Sequence, residues 1–173
     1  MMPSTDEVQR VRGYLLSQAN KLSIPELVDK VRRDTLPLRE AAAAVPPSHF
    51  FERPGPGEWS AAEVLSHVLA VNEAGARAIE GVLDHGTPPI RDEISGETHR
   101  QLRSAEDFWQ LYQARRERLF ARVLRARGDE HLDVTITHQW FGPLSWREWL
   151  LFMRVHDLDH LRQLQAIAQR FAR

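Results

Sequence analysis

The 173-residue chain contains no cysteine, which excludes several kinds of chemistry at once. It rules out disulfides, thiolate metal ligands and a cysteine nucleophile. Any thiol chemistry must therefore use a sulfur that the substrate brings. Charge of one sign is not in excess either, because 23 Lys and Arg residues nearly balance 24 Asp and Glu residues. We therefore expect no bulk attraction to nucleic acid or to an anionic membrane.

Long apolar runs are also absent. No stretch approaches the roughly 20 residues that a transmembrane helix needs. The N-terminus has no basic segment followed by an apolar run, which is the pattern of a signal peptide. We therefore expect a cytoplasmic protein. A hydrophobic share of 42% and a charged share of 27% are ordinary for a globular chain, and the length fits one domain.

Helix signals dominate what is present. Serine N-caps are indicated at several helix starts, and a glutamate three residues later completes a capping box at Ser60 and Ser145. Pro37 should kink or split the second helical stretch near Leu36. Only residues 132–137 alternate as a short strand does. The apolar spacing predicts helices over about 5–20, 23–45, 60–84, 104–127 and 145–169.

A polar connection runs from Thr87 to about Arg103. It is too long for a tight turn between two helices. A loop of this length can cross a bundle from one end to the other, which leaves the flanking helices parallel. The pattern therefore indicates an all-α bundle.

Three histidines lie in the apolar seams of two predicted helices. His156 and His160 are spaced i, i+4, so their imidazoles stack on one helical face, and His67 interrupts the seam of another helix. A buried imidazole without a partner costs about 1–3 kcal/mol, and one shared metal ion would satisfy all three. Three neutral nitrogen ligands hold a divalent transition metal and leave coordination positions open.

The alternative interpretation is that these histidines are ordinary core or boundary residues, because an H-x-x-x-H pair arises by chance in a chain with eight histidines. The pair is not the zincin motif, since Asp157 stands where that motif has glutamate. Asp157 and Asp159 point away from the histidine face. They either orient the second nitrogen of a ligand or pair with arginines, and the second is our default.

Other polar residues near the seams have open roles. Glu63 is explained by its capping role, whereas Asp34 either faces the site or lies beside the irregularity at Pro37. No general base is evident, and Asp34, Asp157 and His138 are the candidates. The remaining histidines are His49, His85, His99, His131 and His138. We expect them to be solvated, although the loop before the last helix could fold His138 over the site.

Two further groups have simple interpretations. Four tryptophans near the starts of the histidine-bearing helices are core residues or, alternatively, the lip of a hydrophobic pocket: Trp59, Trp140, Trp146 and Trp149. Six arginines are spread around one helix, which indicates a solvated face and not a nucleic-acid site: Arg115, Arg116, Arg118, Arg122, Arg125 and Arg127.

Two segments resemble the DinB/YfiT-like superfamily of metal-dependent four-helix-bundle proteins. They read P-G-E-W-S-A-A-E-V-L-S-H-V-L, around His67, and G-P-L-S-W-R-E-W-L-L-F-M-R-V-H-D-L-D-H-L-R-Q-L, around His156 and His160. In that family a Trp-Ser/Thr capping box opens a helix with one metal histidine, and an H-x-x-x-H pair follows on the last helix. The resemblance covers about 22–171. It divides the chain into an N-terminal helical extension, residues 1–22, and a DinB-like domain, residues 23–173.

The resemblance implies a four-helix bundle in up-down-down-up order, with a long crossover between the second and third core helices. It also implies a divalent metal at His67, His156 and His160, with zinc or nickel ahead of iron or manganese, and a homodimer. Characterised relatives include transferases and isomerases that use low-molecular-weight thiols, whereas many others have no known activity.

We therefore expect a metal-dependent thiol transferase or hydrolase that acts on a small molecule. One alternative is a non-catalytic bundle with a structural metal or a stress-related binding role. Another is a helical interaction domain without metal.

Overall fold

The computed structural model describes residues 3–89 and 102–172. Helices account for most of this part of the chain, and one short antiparallel hairpin precedes the last helix. The helices are α1 (Thr5–Lys21), α2 (Ile24–Thr35), α3 (Pro37–Ala43), α4 (Ala61–His85), α5 (Ala105–Val123) and α6 (Trp146–Phe171), with a 3-10 turn at Pro47–His49. The hairpin consists of β1 (Ile136–His138) and β2 (Gly142–Leu144), in which Thr137 lies opposite Pro143.

Local sequence signals set the helix boundaries. The capping boxes predicted at Ser60 and Ser145 are both present, and Ser23 forms a third with Glu26. Each satisfies backbone N–H groups that the first helical turn leaves without a partner. Pro37 splits the second stretch into α2 and α3 as expected, because proline has no N–H to donate to the preceding turn.

Two boundaries differ from the prediction. Helix α5 ends at Val123, whereas Gly128 was expected to end it; Gly128 instead lies in the following loop with φ 96°. The strand expected over residues 132–137 covers only Ile136–His138, because residues 131–133 form a turn closed by a bond from Val134 N–H to His131 O. Its partner strand was not predicted, since a three-residue strand that contains Pro143 carries no alternating pattern.

Ion pairs between helices define the helix directions. Glu73 pairs with Arg115, and farther along both helices Asp84 pairs with Arg122, so α4 and α5 are parallel. The crossover that connects them was predicted over residues 87–103; its residues 90–101 lie outside the described part of the chain.

Contacts with α6 complete the topology. Asn72 bonds Asp157, and a Cβ added at Gly75 would meet Met153, so α4 and α6 are antiparallel. Arg147 binds Leu22 O and Arg154 pairs with Asp34, so α2 and α6 are parallel. The all-α, up-down-down-up four-helix bundle is confirmed. No described helix combines the length and the apolar character needed to cross a bilayer.

Helix α1 packs on the outside of the bundle against α6. Leu15 and Ala19 are fully buried there, and the Arg147 guanidinium donates to Ala19 O at 3.0 Å. Arg154 donates to the Tyr14 hydroxyl at 3.1 Å. Helix α1 thus shares an apolar cluster with α2 and α6. A domain boundary at residue 22 stays a prediction.

The bundle core is divided into two apolar clusters. One lies at the hairpin end and the other surrounds α3 and the start of α4. Between them lie the buried polar side chains of Asn72, Arg116 and Asp157. The three candidate metal ligands are at the same level, so the candidate site adjoins a polar layer across the middle of the bundle.

Candidate metal centre

The antiparallel crossing of α4 and α6 brings His67, His156 and His160 together. His67 Nε2 lies 3.1 Å from His156 Nε2. The His160 ring centroid is 4.9 Å from that of His67 and 4.5 Å from that of His156. One ligand nitrogen from each residue lies within 4.8 Å of the other two. His67 and His156 are 89 positions apart in the sequence, and the crossing of their helices thus brings them to one point.

The three histidines are partly buried and form part of a cavity wall. The sequence pattern placed them in the bundle core, but each keeps an accessible edge, because the cavity reaches them from outside the bundle. The cavity has a volume of about 1350 Å³ and lies between α4, α6, the hairpin and the loop at Trp59. Ligands from solution can therefore reach the histidine nitrogens.

Side chains on α6 orient two of the three imidazoles. His156 Nδ1 lies 3.2 Å from Asp157 Oδ1, and His160 Nδ1 lies 2.8 Å from Gln163 Oε1. An imidazole that donates from Nδ1 presents a lone pair at Nε2. These bonds therefore point the Nε2 lone pairs of both rings at the common point; metal-binding histidines commonly donate their other ring N–H to a carboxylate or carbonyl oxygen in this way. Gln163 was not predicted to contact a ligand, although its i+3 spacing from His160 indicates that the two side chains are neighbours on the helix.

Asp157 is 1% exposed and lies at the centre of the polar layer. It accepts hydrogen bonds from Tyr112 Oη at 2.6 Å and from Asn72 Nδ2 at 2.9 Å. Arg116 reaches it only through Tyr112 Oη, to which its guanidinium donates at 2.7 Å. The expected direct pairing with an arginine is wrong. Asp157 points into the bundle, where its short side chain still reaches the Nδ1 of His156.

Burial favours the neutral form of two candidate ligands, His67 and His160. It lowers the pKa of His67 to about 4, and the nearby His156 and His160 add to the effect. It also lowers the pKa of His160, again with a contribution from His156. Neutral imidazole is the form that binds metal, so His67 and His160 are in the binding form at neutral pH.

The donor set fits a divalent transition metal. Tetrahedral zinc with nitrogens at about 2.0–2.1 Å places neighbouring ligand atoms about 3.3 Å apart. The observed separation of 3.1 Å between two Nε2 atoms, and the limit of 4.8 Å for the whole group, bracket that value. Imidazole nitrogens suit zinc, nickel and iron, and three of them leave coordination positions that face the cavity.

Two carboxylates named from the sequence are used elsewhere. Glu63 caps α4 and pairs with Arg53, whose hydrogen bonds are the main reason that its pKa falls to about 2. Asp34 pairs with Arg154 at 2.8 Å and Lys30 at 3.3 Å, and it does not line the cavity. Asp159 is exposed at the cavity edge.

His138 was expected to be solvated, but it is half-buried in the cavity wall. The hairpin carries it there, which was the alternative considered for the loop before the last helix. Its ring stacks on Phe141, with centroids 4.7 Å apart, and burial lowers its pKa to about 4. His85 and His131 are exposed, whereas His49 stacks on Phe171. His99 lies outside the described residues.

The tryptophans divide between the two interpretations. Trp59, Trp140 and Trp149 line the cavity, so for these three the pocket-lip interpretation holds. Trp146 is fully buried and donates from Nε1 to Glu130 O at 2.7 Å. Trp140 and Trp149 thus lie at the hairpin side of the cavity, beside His138, whereas Trp59 lies against His67.

Three of the six arginines, Arg118, Arg125 and Arg127, are exposed as expected, but the other three are not. Arg116 is 5% exposed, and Arg115 pairs with both Glu73 and Glu80. Arg115 and Arg116 connect helices, which a pattern of charges along one helix cannot show.

Comparisons with known proteins agree with this architecture. The family model of the DinB superfamily matches residues 27–164. An uncharacterized protein of Bacillus subtilis (strain 168), YuaE, is 25% identical over 137 residues, which cover 70% of this chain and 85% of that protein. The crystal structure of TT2238, a four-helix bundle protein, superposes with a TM-score of 0.63 at 22% identity and covers 83% of this chain and 99% of that one. The structural likeness concerns the fold alone.

Proposed function

The chain belongs to the DinB superfamily, and from this membership and the histidine geometry we propose that it is a metal-dependent enzyme. In the proposal, His67, His156 and His160 bind one divalent transition-metal ion, zinc or nickel ahead of iron or manganese. The reaction is a transfer that uses a thiol, or a hydrolysis, and the substrate is a small molecule that enters the cavity of about 1350 Å³.

One observation carries the proposal: the three ligand nitrogens converge where the cavity meets the bundle. Structural zinc sites are closed by four protein ligands, whereas catalytic sites combine three with an open position. Among the described residues, one group of three or more His, Asp or Glu side chains has metal-binding spacing. It consists of His67, His156 and His160, and no fourth side chain belongs to it. This favours an enzyme over the alternative of a non-catalytic bundle with a structural metal or a stress-related binding role.

When bound, such an ion supplies Lewis-acid chemistry and lowers the pKa of a thiol or water in an open coordination position. The chain's own residues hold the ligands and shape the cavity. Asp157 and Gln163 orient two imidazoles, and the hairpin limits access of water from one side. Because the chain has no cysteine, the thiol comes from the substrate. None of the three candidate general bases fits that role: Asp34 and Asp157 do not line the cavity, and His138 lines it but its Nδ1 accepts two backbone hydrogen bonds.

The metal content of untagged protein, purified without chelators, tests the site. We expect about one equivalent of metal in the parent and almost none in His160→Ala. His85→Ala is the matched control, because His85 is exposed at the end of α4, and it should keep the metal. A parent that takes up no metal after reconstitution would overturn the proposal.

Cobalt substitution tests whether the site is open to a thiol. Since the chain supplies no thiolate, any sulfur-to-cobalt charge-transfer absorption must come from an added thiol such as 2-mercaptoethanol. A band that appears on addition and saturates supports the thiol-dependent reaction. A spectrum that responds to neither thiol nor a small anion such as azide would favour a structural metal.

The proposal also includes a homodimer and a cytoplasmic location. Both are drawn from the sequence and from its family resemblance. Gel filtration coupled to light scattering tests the first, and cell fractionation tests the second.

A further inference from the structure

We propose that the hairpin end of the cavity is a binding subsite for a planar apolar substrate group that carries a hydrogen-bond-accepting oxygen, with His138 Nε2–H as the donor to that oxygen. The subsite adds a substrate-binding role to the proposed function. It rests on the proposed function for the identity of the reacting centre. The residues that carry the inference belong to the hairpin and to the first turns of α6.

The hairpin turn determines the tautomer of His138. The backbone N–H groups of Trp140 and Phe141 both donate to His138 Nδ1, at 3.1 Å and 3.3 Å. A ring nitrogen that accepts hydrogen bonds cannot carry the proton, so in the neutral ring the proton is on Nε2. Burial lowers the pKa of this histidine to about 4, so the neutral ring persists at physiological pH.

Aromatic neighbours hold the ring in this orientation. Phe141 stacks on it at 4.7 Å with 20° between the planes, and Phe152 lies 4.5 Å away, centroid to centroid. Trp149 and Trp140 follow at 5.6 Å and 5.8 Å. A flip of the ring would break two hydrogen bonds and move it against these side chains. His138 is therefore a donor of fixed direction.

The Nε2–H of His138 is available to a ligand. Within residues 3–89 and 102–172, Asn72 Oδ1 and Trp149 Nε1 are the buried side-chain atoms that lack a hydrogen-bond partner. His138 Nε2 is not one of these buried atoms, and no oxygen atom of the described residues accepts a hydrogen bond from it. Because His138 lines the cavity, this N–H group is left to solvent or to a ligand.

The surroundings favour a planar apolar group. Trp140 is 44% exposed although it lines the cavity, and Trp149 and Phe152 form the wall on the same side of His138. Exposed aromatic side chains that converge on a cavity with one polar group are typical of a small-molecule site. Phe152 lies one helical turn before His156, with ring centroids 6.0 Å apart. A group held here would therefore lie beside the candidate metal centre.

The same geometry argues against two other roles for His138. A fourth metal ligand or a general base at Nε2 would need a lone pair on that atom, which carries the proton. At Nδ1 the lone pair is already used by the turn. His138 is thus assigned to substrate binding, and not to proton removal.

The test uses metal-free protein, so that it is independent of the metal proposal. Long-range ¹H–¹⁵N spectra of protein labelled at histidine report the tautomer directly, and we expect His138 to show a protonated Nε2 and an unprotonated Nδ1. Acetophenone and ethylbenzene are then titrated while the indole N–H signals of Trp140 and Trp149 are followed. The two probes have nearly the same size and differ in the carbonyl oxygen.

Acetophenone should bind about tenfold more tightly than ethylbenzene, the effect of one neutral hydrogen bond, and it should shift the Nε2–H signal. His138→Phe keeps the ring and removes the donor, so the two probes should bind it equally. His138→Gln places an N–H near the same point and should restore part of the preference. Circular dichroism checks that both variants fold.

Three results would overturn the inference: a proton on Nδ1 of His138, equal affinities of the parent for both probes, or no response of the indole signals up to the solubility limit. The first needs no variant, so failure of His138→Phe to fold would leave the inference testable. A protein that binds acetophenone in this way but no metal would refute the proposed function and keep the subsite.

Discussion

Replacement of Asp157 by asparagine should destabilise the bundle strongly, although the two side chains have the same shape. The carboxylate is 1% exposed and accepts hydrogen bonds from Tyr112 Oη, Asn72 Nδ2 and His156 Nδ1, at 2.6, 2.9 and 3.2 Å. An amide has one oxygen and one NH₂ group. In either orientation, its NH₂ group therefore faces at least one donor that the carboxylate satisfied.

The magnitude follows from these contacts. A hydrogen bond to a charged group contributes about 1.5–3 kcal/mol, and an orphaned buried donor costs about as much as the lost bond. Asp157 also balances the charge of Arg116, which is 5% exposed and reaches it through Tyr112. We expect Asp157→Asn to lower the free energy of unfolding by about 3 kcal/mol, since one bond is lost and the others weaken.

Urea unfolding of the metal-free protein, followed by circular dichroism, measures this loss. Asp159→Asn is the matched control: it lies two residues away on the same helix, is exposed, and should change stability by less than about 0.5 kcal/mol. The metal affinity of Asp157→Asn should also fall about 10–100-fold, because His156 loses the partner that orients it. Equal stabilities of the two variants would refute the assigned role of Asp157. A large loss of stability with unchanged metal affinity would limit that role to the fold.

Three further predictions concern other parts of the structure. Gly75→Ala places a Cβ 2.9 Å from both Trp149 Nε1 and Met153 Sδ, so we expect a loss of about 1–3 kcal/mol in urea unfolding and a shifted Trp149 indole N–H signal. The folded-state pKa of His138, about 4, lies below its ordinary 6.5, so the unfolded chain takes up the proton first as the pH falls. Its contribution to stability is complete above pH 6.5 and is lost toward pH 4. Between pH 7 and pH 5, the free energy of unfolding of the metal-free parent should therefore fall by about 1 kcal/mol more than that of His138→Phe, a figure that allows for solvent screening. Arg147→Met leaves three backbone carbonyls, two buried and one part-buried, without their donor and should lower the unfolding free energy by about 3 kcal/mol, seen as a drop of about 6–12 °C in Tm.

The helices were predictable because their signals are local. A capping box such as that of Ser60 and Glu63 lies within one turn, and Pro37 acts on the backbone beside it. The same is true of the stacking of His156 and His160, since an i, i+4 spacing on a helix leaves little choice of direction. These features did not depend on how the helices pack.

The hairpin and the environment of His138 were not predictable in this way. Strands of three residues carry too few side chains for an alternating pattern, and Pro143 obscures the second of them. The proximity of His138 to Phe152 requires the hairpin to fold back over α6. Loop composition alone therefore suggested a solvated residue.

The sequence by itself determined the helical class, the helix starts and the three histidines that interrupt apolar seams, because each depends on residues a few positions apart. Tertiary structure decided what surrounds those histidines. The antiparallel register of α4 and α6 brings His67 to within 3.1 Å of His156, turns Asp157 inward to Tyr112 and Asn72, and leaves the cavity on the other side. The physical reason is that helix register and side-chain direction are set by packing between distant segments, which no local spacing records.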